Sequence, residues 1–161
     1  MQYQEFDSKF KKRVANLSRK RQLNLALDIC KKLFFDYQTF SEKNEWGNPD
    51  RLFDGIQLVE SSKARMSGEE LIRATIKSIK EVTPDTEDFG DASYALNACF
   101  AVCSTLNFHL ESKPEHIYYV GISLYATIDA KVQEDDDLSK EEIDKHPLIV
   151  ETRRYLLGVA Q

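Results

Sequence analysis

Two cysteines and a histidine near the middle of the chain have the greatest potential for chemistry. Cys99 and Cys103 are four residues apart, so on a helix they would share one face and could bind a metal ion or supply a nucleophilic thiolate. A structural zinc site takes four ligands, usually from closer pairs, and His109 would lie on a different face of the same helix. Buried cysteine behaves as a small hydrophobe. We therefore interpret both thiols as core groups, with a metal-binding protein or a thiol enzyme as the alternative.

Four acids that precede these cysteines could bind a divalent cation, because carboxylates are the hard oxygen ligands that such ions prefer. They are Asp85, Glu87, Asp88 and Asp91. The pattern is not that of an EF-hand, since Gly90 is misplaced and the final bidentate Glu is missing. Acids are also favourable at the N-terminus of a helix, and we expect that role here, with Asp91 as the N-cap of the helix that follows.

The sequence contains none of the common catalytic or nucleotide-binding motifs. Gly-x-Ser-x-Gly, His-Glu-x-x-His, the P-loop and Gly-x-Gly-x-x-Gly are absent, and the chain has only three histidines. We therefore predict no catalytic residue, no metal ligand and no cofactor. The residues that we retain as candidates for a functional surface are Asp85, Glu87, Asp88, Asp91, Asn97, Cys99 and Cys103.

A basic N-terminal segment, residues 9–21, carries seven Lys and Arg residues and no acid. The chain as a whole has a net charge of −5, which repels a phosphate backbone. We find no interleaving of aromatic and basic residues that suggests base stacking. This pattern disfavours nucleic-acid binding.

The elements that must position these residues are helices. The chain has 161 residues, which suits one domain over residues 1–161, with 42% hydrophobic and 30% charged residues but only 6 Gly and 4 Pro. Scarce chain breakers favour long helices over a fold with many strands. We predict a compact all-α bundle of about seven helices around a central apolar helix, residues 91–111.

Local signals mark where these helices begin. Each predicted start has a side chain that can accept a hydrogen bond from the first turn, and two of them lie three residues before a glutamate, as in a capping box. The predicted N-caps are Ser18, Asn48, Ser67, Asp91 and Ser139.

The segment from Ala92 to Leu110 has no charged residue over nineteen positions, which is long enough to cross a membrane. It contains six hydrogen-bonding side chains, which weigh against lipid exposure. We predict that other helices surround it and that Asn97 finds a hydrogen-bond partner among them. The chain has no apolar signal segment and no Cys-x-x-Cys pair. A cytoplasmic protein with reduced thiols and no membrane contact is the simplest interpretation.

Parts of the sequence resemble the YjaG-like bacterial family, domain of unknown function four hundred sixteen. The resemblance lies in Pro84-Asp85-Thr86-Glu87-Asp88-Phe89, in Tyr94-Ala95-Leu96-Asn97-Ala98-Cys99 and in Ala101-Val102. With its flanking elements it covers about residues 17–159. It implies an all-helical cytoplasmic bacterial protein and supplies no activity. Asn97 stands where the family is expected to have an acid, so a role that needs that charge is in doubt here.

Three classes of function remain open. The preferred one is a non-enzymatic protein-interaction domain that binds either an unknown partner protein or a second copy of itself. Phe35 lies off the main apolar stripe of its helix, which is consistent with a second packing surface in a homodimer. A second is a small acidic inhibitor or immunity-type binder of a basic partner, with residues 85–91 and 134–137 as contacts. The third is a metal-binding protein or thiol enzyme.

Overall fold

The computed structural model describes residues 1–62, 68–134 and 136–160. Within these ranges the fold is all-α, with eight helices and no strand, as the composition predicts. The eighth helix arises because the short segment after Ser139 is a helix of its own that ends before Pro147. The helices are α1 (Tyr3–Asn16), α2 (Arg19–Asn44), α3 (Pro49–Ser61), α4 (Glu69–Glu81), α5 (Ser93–Glu111), α6 (Pro114–Val132), α7 (Lys140–Lys145) and α8 (Pro147–Val159).

Three of the predicted helix starts are confirmed by their hydrogen bonds. The Ser18 hydroxyl accepts from the Arg21 amide at 3.3 Å, and the Asn48 side chain accepts from the Asp50 amide at 3.0 Å. Ser139 forms a complete capping box with Glu142. Ser67, the remaining serine cap, and Asp135 in the second acidic run lie outside the described residues.

The expectation that Asp91 caps the central helix is wrong. The N-cap of α5 is Ala92, which makes no side-chain cap bond. The Asp91 carboxylate instead accepts from the Asn44 amide at 3.2 Å and pairs with Lys43 at 3.2 Å. Because these partners lie at the far end of α2, Asp91 ties the entry of α5 to that helix.

The central helix packs against α2, α3, α4 and α6. Small side chains on α5 let the neighbouring helices approach closely, and Ala95, Ala98 and Ala101 are completely buried. A second close approach occurs where Gly121 of α6 meets Phe10 of α1, since a Cβ atom at Gly121 would overlap that ring. The prediction that other helices surround residues 92–110 is confirmed for this side of α5.

One side of α5 is not covered by another helix. Phe100 is 52% exposed, and its neighbours at helical spacing are half-buried. The uncharged segment 92–110 therefore has one face that is buried by other helices and one face that is exposed but carries no charge. No helix in the described ranges combines the length and the hydropathy that a membrane crossing requires.

Candidate interaction face

The uncovered side of α5 and the adjacent side of α6 form a shallow groove of about 460 Å³. We call it the α5–α6 face and define it by its lining residues. They are Asn97, Phe100, Cys103, Ser104 and Asn107 of α5, Tyr119, Ile122, Ser123 and Ala126 of α6, and Lys80 of α4.

Helical spacing brings these residues together. On α5 the residues recur every three or four positions, and on α6 they do the same, so each helix presents one row. The two helices are neighbours, and the rows lie side by side. Phe100 and Tyr119 each expose 52% of their surface. Large exposed rings on a surface with few charges are typical of a protein contact.

The polar groups of the face form a hydrogen-bonded chain. Asn97 donates its amide to the Thr127 hydroxyl at 3.1 Å, and Thr127 donates to the Ser123 carbonyl at 2.9 Å. The prediction that Asn97 finds a partner among the surrounding helices is confirmed, and its side chain is half-buried. Because Asn97 acts as the donor in this contact, a carboxylate at the same position could not make the same bond.

The cysteines are held in their thiol form. Burial raises the pKa of Cys30 and of Cys99 to about 12, and that of the half-exposed Cys103 to about 11. Cys99 is fully buried, whereas Cys103 reaches the α5–α6 face. Burial thus disfavours the thiolate of Cys103 at neutral pH, and its side chain contributes packing surface to the face.

The four predicted acids lie outside the lining of the face. Asp85 closes a local turn by accepting from the Glu87 amide at 2.8 Å. Hydrogen bonding from Asn44, together with Lys43, holds the pKa of Asp91 below its usual range. Glu87 and Asp88 are exposed. Within the described ranges, no three His, Cys, Asp or Glu side chains lie close enough to hold a metal ion.

Much of the basic N-terminal segment makes contacts within the chain. Lys9 pairs with Glu5 at 2.6 Å, and Arg13 donates to the Leu157 carbonyl at 2.8 Å. Arg19 donates to the Ser112 hydroxyl at 2.7 Å and lies over the Phe108 ring. Arg13 and Arg19 therefore connect their segment to other parts of the fold, whereas the Lys9 pair lies within α1.

A buried arginine is the main residue that sequence reasoning missed. Arg153 of α8 is 4% exposed and lines a second cleft of about 920 Å³. The signal was present in the sequence, because Arg153 continues the buried row that Ile149 and Leu156 form at helical spacing. A charged residue on the apolar stripe of a helix requires a partner in the folded protein.

Comparison with known proteins identifies a family match. The family described as "Protein of unknown function (DUF416)" matches residues 9–157. No curated protein matches the sequence significantly. Among solved structures, the crystal structure of a DUF416 family protein from Shewanella baltica OS155 superimposes with a TM-score of 0.81 and 23% identity, covering 94% of this chain and 83% of that chain. At this identity the likeness shows a shared fold.

Proposed function

Because the chain belongs to the DUF416 family, which is described as a protein of unknown function, we propose a role from its own surface. The protein is a non-enzymatic interaction domain, and its α5–α6 face binds a second copy of the chain. The neutral, aromatic character of this face is the observation that carries the proposal.

The composition of the face differs from that of the rest of the molecule. Charged residues make up 30% of the chain, yet only Lys80 among the ten lining residues is charged. Interface cores are depleted in charged residues and enriched in aromatic ones. The exposed Phe100 and Tyr119 rings would bury apolar surface on contact, which contributes about 25 cal/mol per Å² before the costs of association.

A second copy suits this surface better than an unrelated partner does. Each chain has a net charge of −5, so two copies repel one another wherever their acidic surfaces approach. The α5–α6 face contains no carboxylate, and a two-fold axis through it brings together two surfaces on which Lys80 is the one charged lining residue. The Asn107 amide and the Ser104 hydroxyl both donate and accept hydrogen bonds, so each can pair with its own copy.

Light scattering on a size-exclusion column tests the proposal. The wild-type protein should elute with about twice the chain mass of 18.6 kDa. Phe100→Glu places two carboxylates in the contact and should give the mass of one chain. Phe35→Glu is the matched control, because Phe35 is 66% exposed on α2, outside the face, and the same substitution there should leave the dimer intact.

Three results would contradict the proposal. A wild-type protein that stays monomeric at concentrations of about 100 μM has no homodimer to assign. Dissociation by Phe35→Glu with no effect of Phe100→Glu would place the contact on α2. Dissociation by raised salt would show that charged surfaces hold the two copies together, since a neutral contact is insensitive to ionic screening.

A further inference from the structure

The second cleft lies beside α6, between the start of α1 and the helices α7 and α8. Its volume of about 920 Å³ is within the range of sites for small organic molecules, which is about 300 to 1,000 Å³. Its walls include the rings of Tyr3 and Tyr125, whose centres are 5.2 Å apart, and the side chain of Ile122. The cleft therefore offers an apolar body of modest size a place to bind.

Arg153 supplies the buried charge of this cleft. Its Nη1 donates to the Met1 carbonyl at 2.6 Å, while its Nη2 donates to the Tyr125 hydroxyl at 2.8 Å and to Oδ1 of Asp144 at 2.6 Å. The guanidinium also lies over the rings of Phe6 and Tyr125. The Nε atom is buried and has no hydrogen-bond partner among the described residues.

The pairing of Arg153 with Asp144 is incomplete. A carboxylate that approaches a guanidinium side-on bonds Nε and Nη2 with its two oxygens, and this paired geometry is stronger than a single bond. Asp144 reaches only Nη2, and Nε is left as an unmet buried donor. A carboxylate free of the chain could satisfy both nitrogens at once.

Asp144 lies on an element that can give way. Its helix, α7, has six residues, none of which is buried, and its hold on the core consists mainly of the Arg153 contact and the half-buried Ile143. Segments with few buried apolar contacts open at a small fraction of the global unfolding free energy. Asp144 can therefore leave Arg153 without loss of the core.

We propose that this cleft binds a small monocarboxylate with an aromatic or branched apolar body. The ligand carboxylate replaces Asp144 and bonds both Nε and Nη2 of Arg153, and the apolar body lies between the tyrosine rings and Ile122. Asp129 and Lys140 also line the cleft, and neither forms an ion pair within the described ranges. Glu141 and Lys145, which also line the cleft, pair with each other at 2.6 Å. The positive and negative charges around the rest of the ligand therefore balance, and it needs no net charge of its own.

Arginine side-chain NMR reads the proposed contact directly. The ¹⁵N-labelled full chain is titrated with phenylacetate, and the Arg153 Nε–H signal is assigned by its absence in Arg153→Lys. That signal should shift and saturate, because Nε gains an acceptor. Phenylacetamide has the same body without the charge and should leave the signal in place. The two ligands are compared on the wild-type chain, and Arg153→Lys is needed only to assign the signal.

Two variants separate the competitor from the anchor. Asp144→Asn removes the competing carboxylate and should lower the half-saturating phenylacetate concentration about ten-fold. Arg153→Lys keeps the positive charge but lacks Nε, and binding followed through the Tyr125 backbone amide should weaken about ten-fold. Phe100→Glu should bind phenylacetate as the wild type does, so failure of the proposed dimer and failure of this site are distinguishable.

The absence of a saturable Nε shift in both the wild type and Asp144→Asn would overturn the proposal. An equal shift with phenylacetamide would show that a carboxylate is not the recognised group. The carboxyl end of a peptide carries the same group, and N-acetyl-Ala-Phe is therefore a further arm. If that peptide bound about ten-fold more tightly than phenylacetate, the small-molecule assignment would be wrong.

Discussion

Tyr37 is completely buried, and its hydroxyl joins three parts of the chain. It donates to the Val82 carbonyl at 2.6 Å and accepts from the Asn48 amide at 3.2 Å. Tyr37→Phe would leave both backbone groups unpaired, so we expect the free energy of unfolding in urea to fall by about 1 to 3 kcal/mol. Tyr119→Phe, at an exposed ring, should change it by less than about 0.5 kcal/mol. Equal effects of the two changes would refute the assigned role of Tyr37.

His109 makes stability depend on pH. It is 2% exposed, and burial, followed by the charge of Arg19, lowers its pKa. A lowered folded-state pKa means that the unfolded chain takes up a proton first as the pH falls. The contribution of neutral His109 is therefore complete above the unfolded pKa of about 6.5 and is lost as the pH falls towards the folded-state pKa.

We expect a lower free energy of unfolding at about pH 5.5 than at about pH 7.5, by about 1.4 kcal/mol for each unit of pKa difference that this interval spans. His109→Gln removes the titrating group and should flatten this slope, whatever it does to the absolute stability. Urea unfolding of both proteins across the interval measures the effect. An unchanged slope in His109→Gln would assign the dependence to other groups.

Single residues were predictable from the sequence where their partners are local. Ser18, Asn48 and Ser139 bond to amides two or three positions away, and each cap could be predicted from neighbouring residues alone. Asp91 was misassigned because its partner Asn44 lies 47 positions away. The position of Arg153 in the buried row of α8 was visible in the sequence, but its partner Tyr125, 28 positions away, was not.

At the scale of elements, glycine sets how closely α1 approaches α6. A Cβ atom at Gly121 would overlap the Phe10 ring, which is itself fully buried and stacked on Phe6. Gly121→Ala should lower the free energy of unfolding by about 1 to 3 kcal/mol, because the ring has no space into which it can move. The measurement is urea denaturation followed by circular dichroism.

Gly158 provides the matched control. It lies in α8 with nothing within 4 Å of its would-be Cβ atom. Gly158→Ala should leave the stability unchanged or raise it by up to about 1 kcal/mol, because alanine favours the helix. If both substitutions destabilised the protein equally, the close packing of α1 on α6 would not be the cause.

Helix existence was predictable because the apolar residues of each long segment recur with helical spacing. The exposed side of α5 was not predictable, because a row of uncharged residues is compatible both with a covered helix face and with an exposed one. Phe100 and Tyr119 belong to different helices, and the face that they share exists only through the packing of α5 on α6. The site candidates Asn97 and Cys103 were recognised in sequence, but the surface that unites them was not.

At the scale of the whole molecule, stability is distributed unevenly. The helices α2, α5 and α6 pack on one another and contain most of the fully buried side chains. By contrast, α7 has no buried residue and packs mainly on α8. Well-packed helices such as α2, α5 and α6 usually exchange their amide hydrogens only on global unfolding, whereas a weakly packed helix such as α7 opens locally.

Native-state hydrogen exchange should separate the two groups of helices. We expect the amides of Cys99, Val102 and Leu106 in α5 to exchange with the free energy of global unfolding, because releasing them requires α2 and α6 to part. The Asp144 amide in α7 should exchange at least about a thousand-fold faster. Urea below the unfolding transition should accelerate exchange in α5 but leave α7 almost unchanged, since a local opening exposes little surface. Equal protection of α7 and α5 would mean that α7 is fixed to the core, and Asp144 could then not yield its place on Arg153 to a ligand.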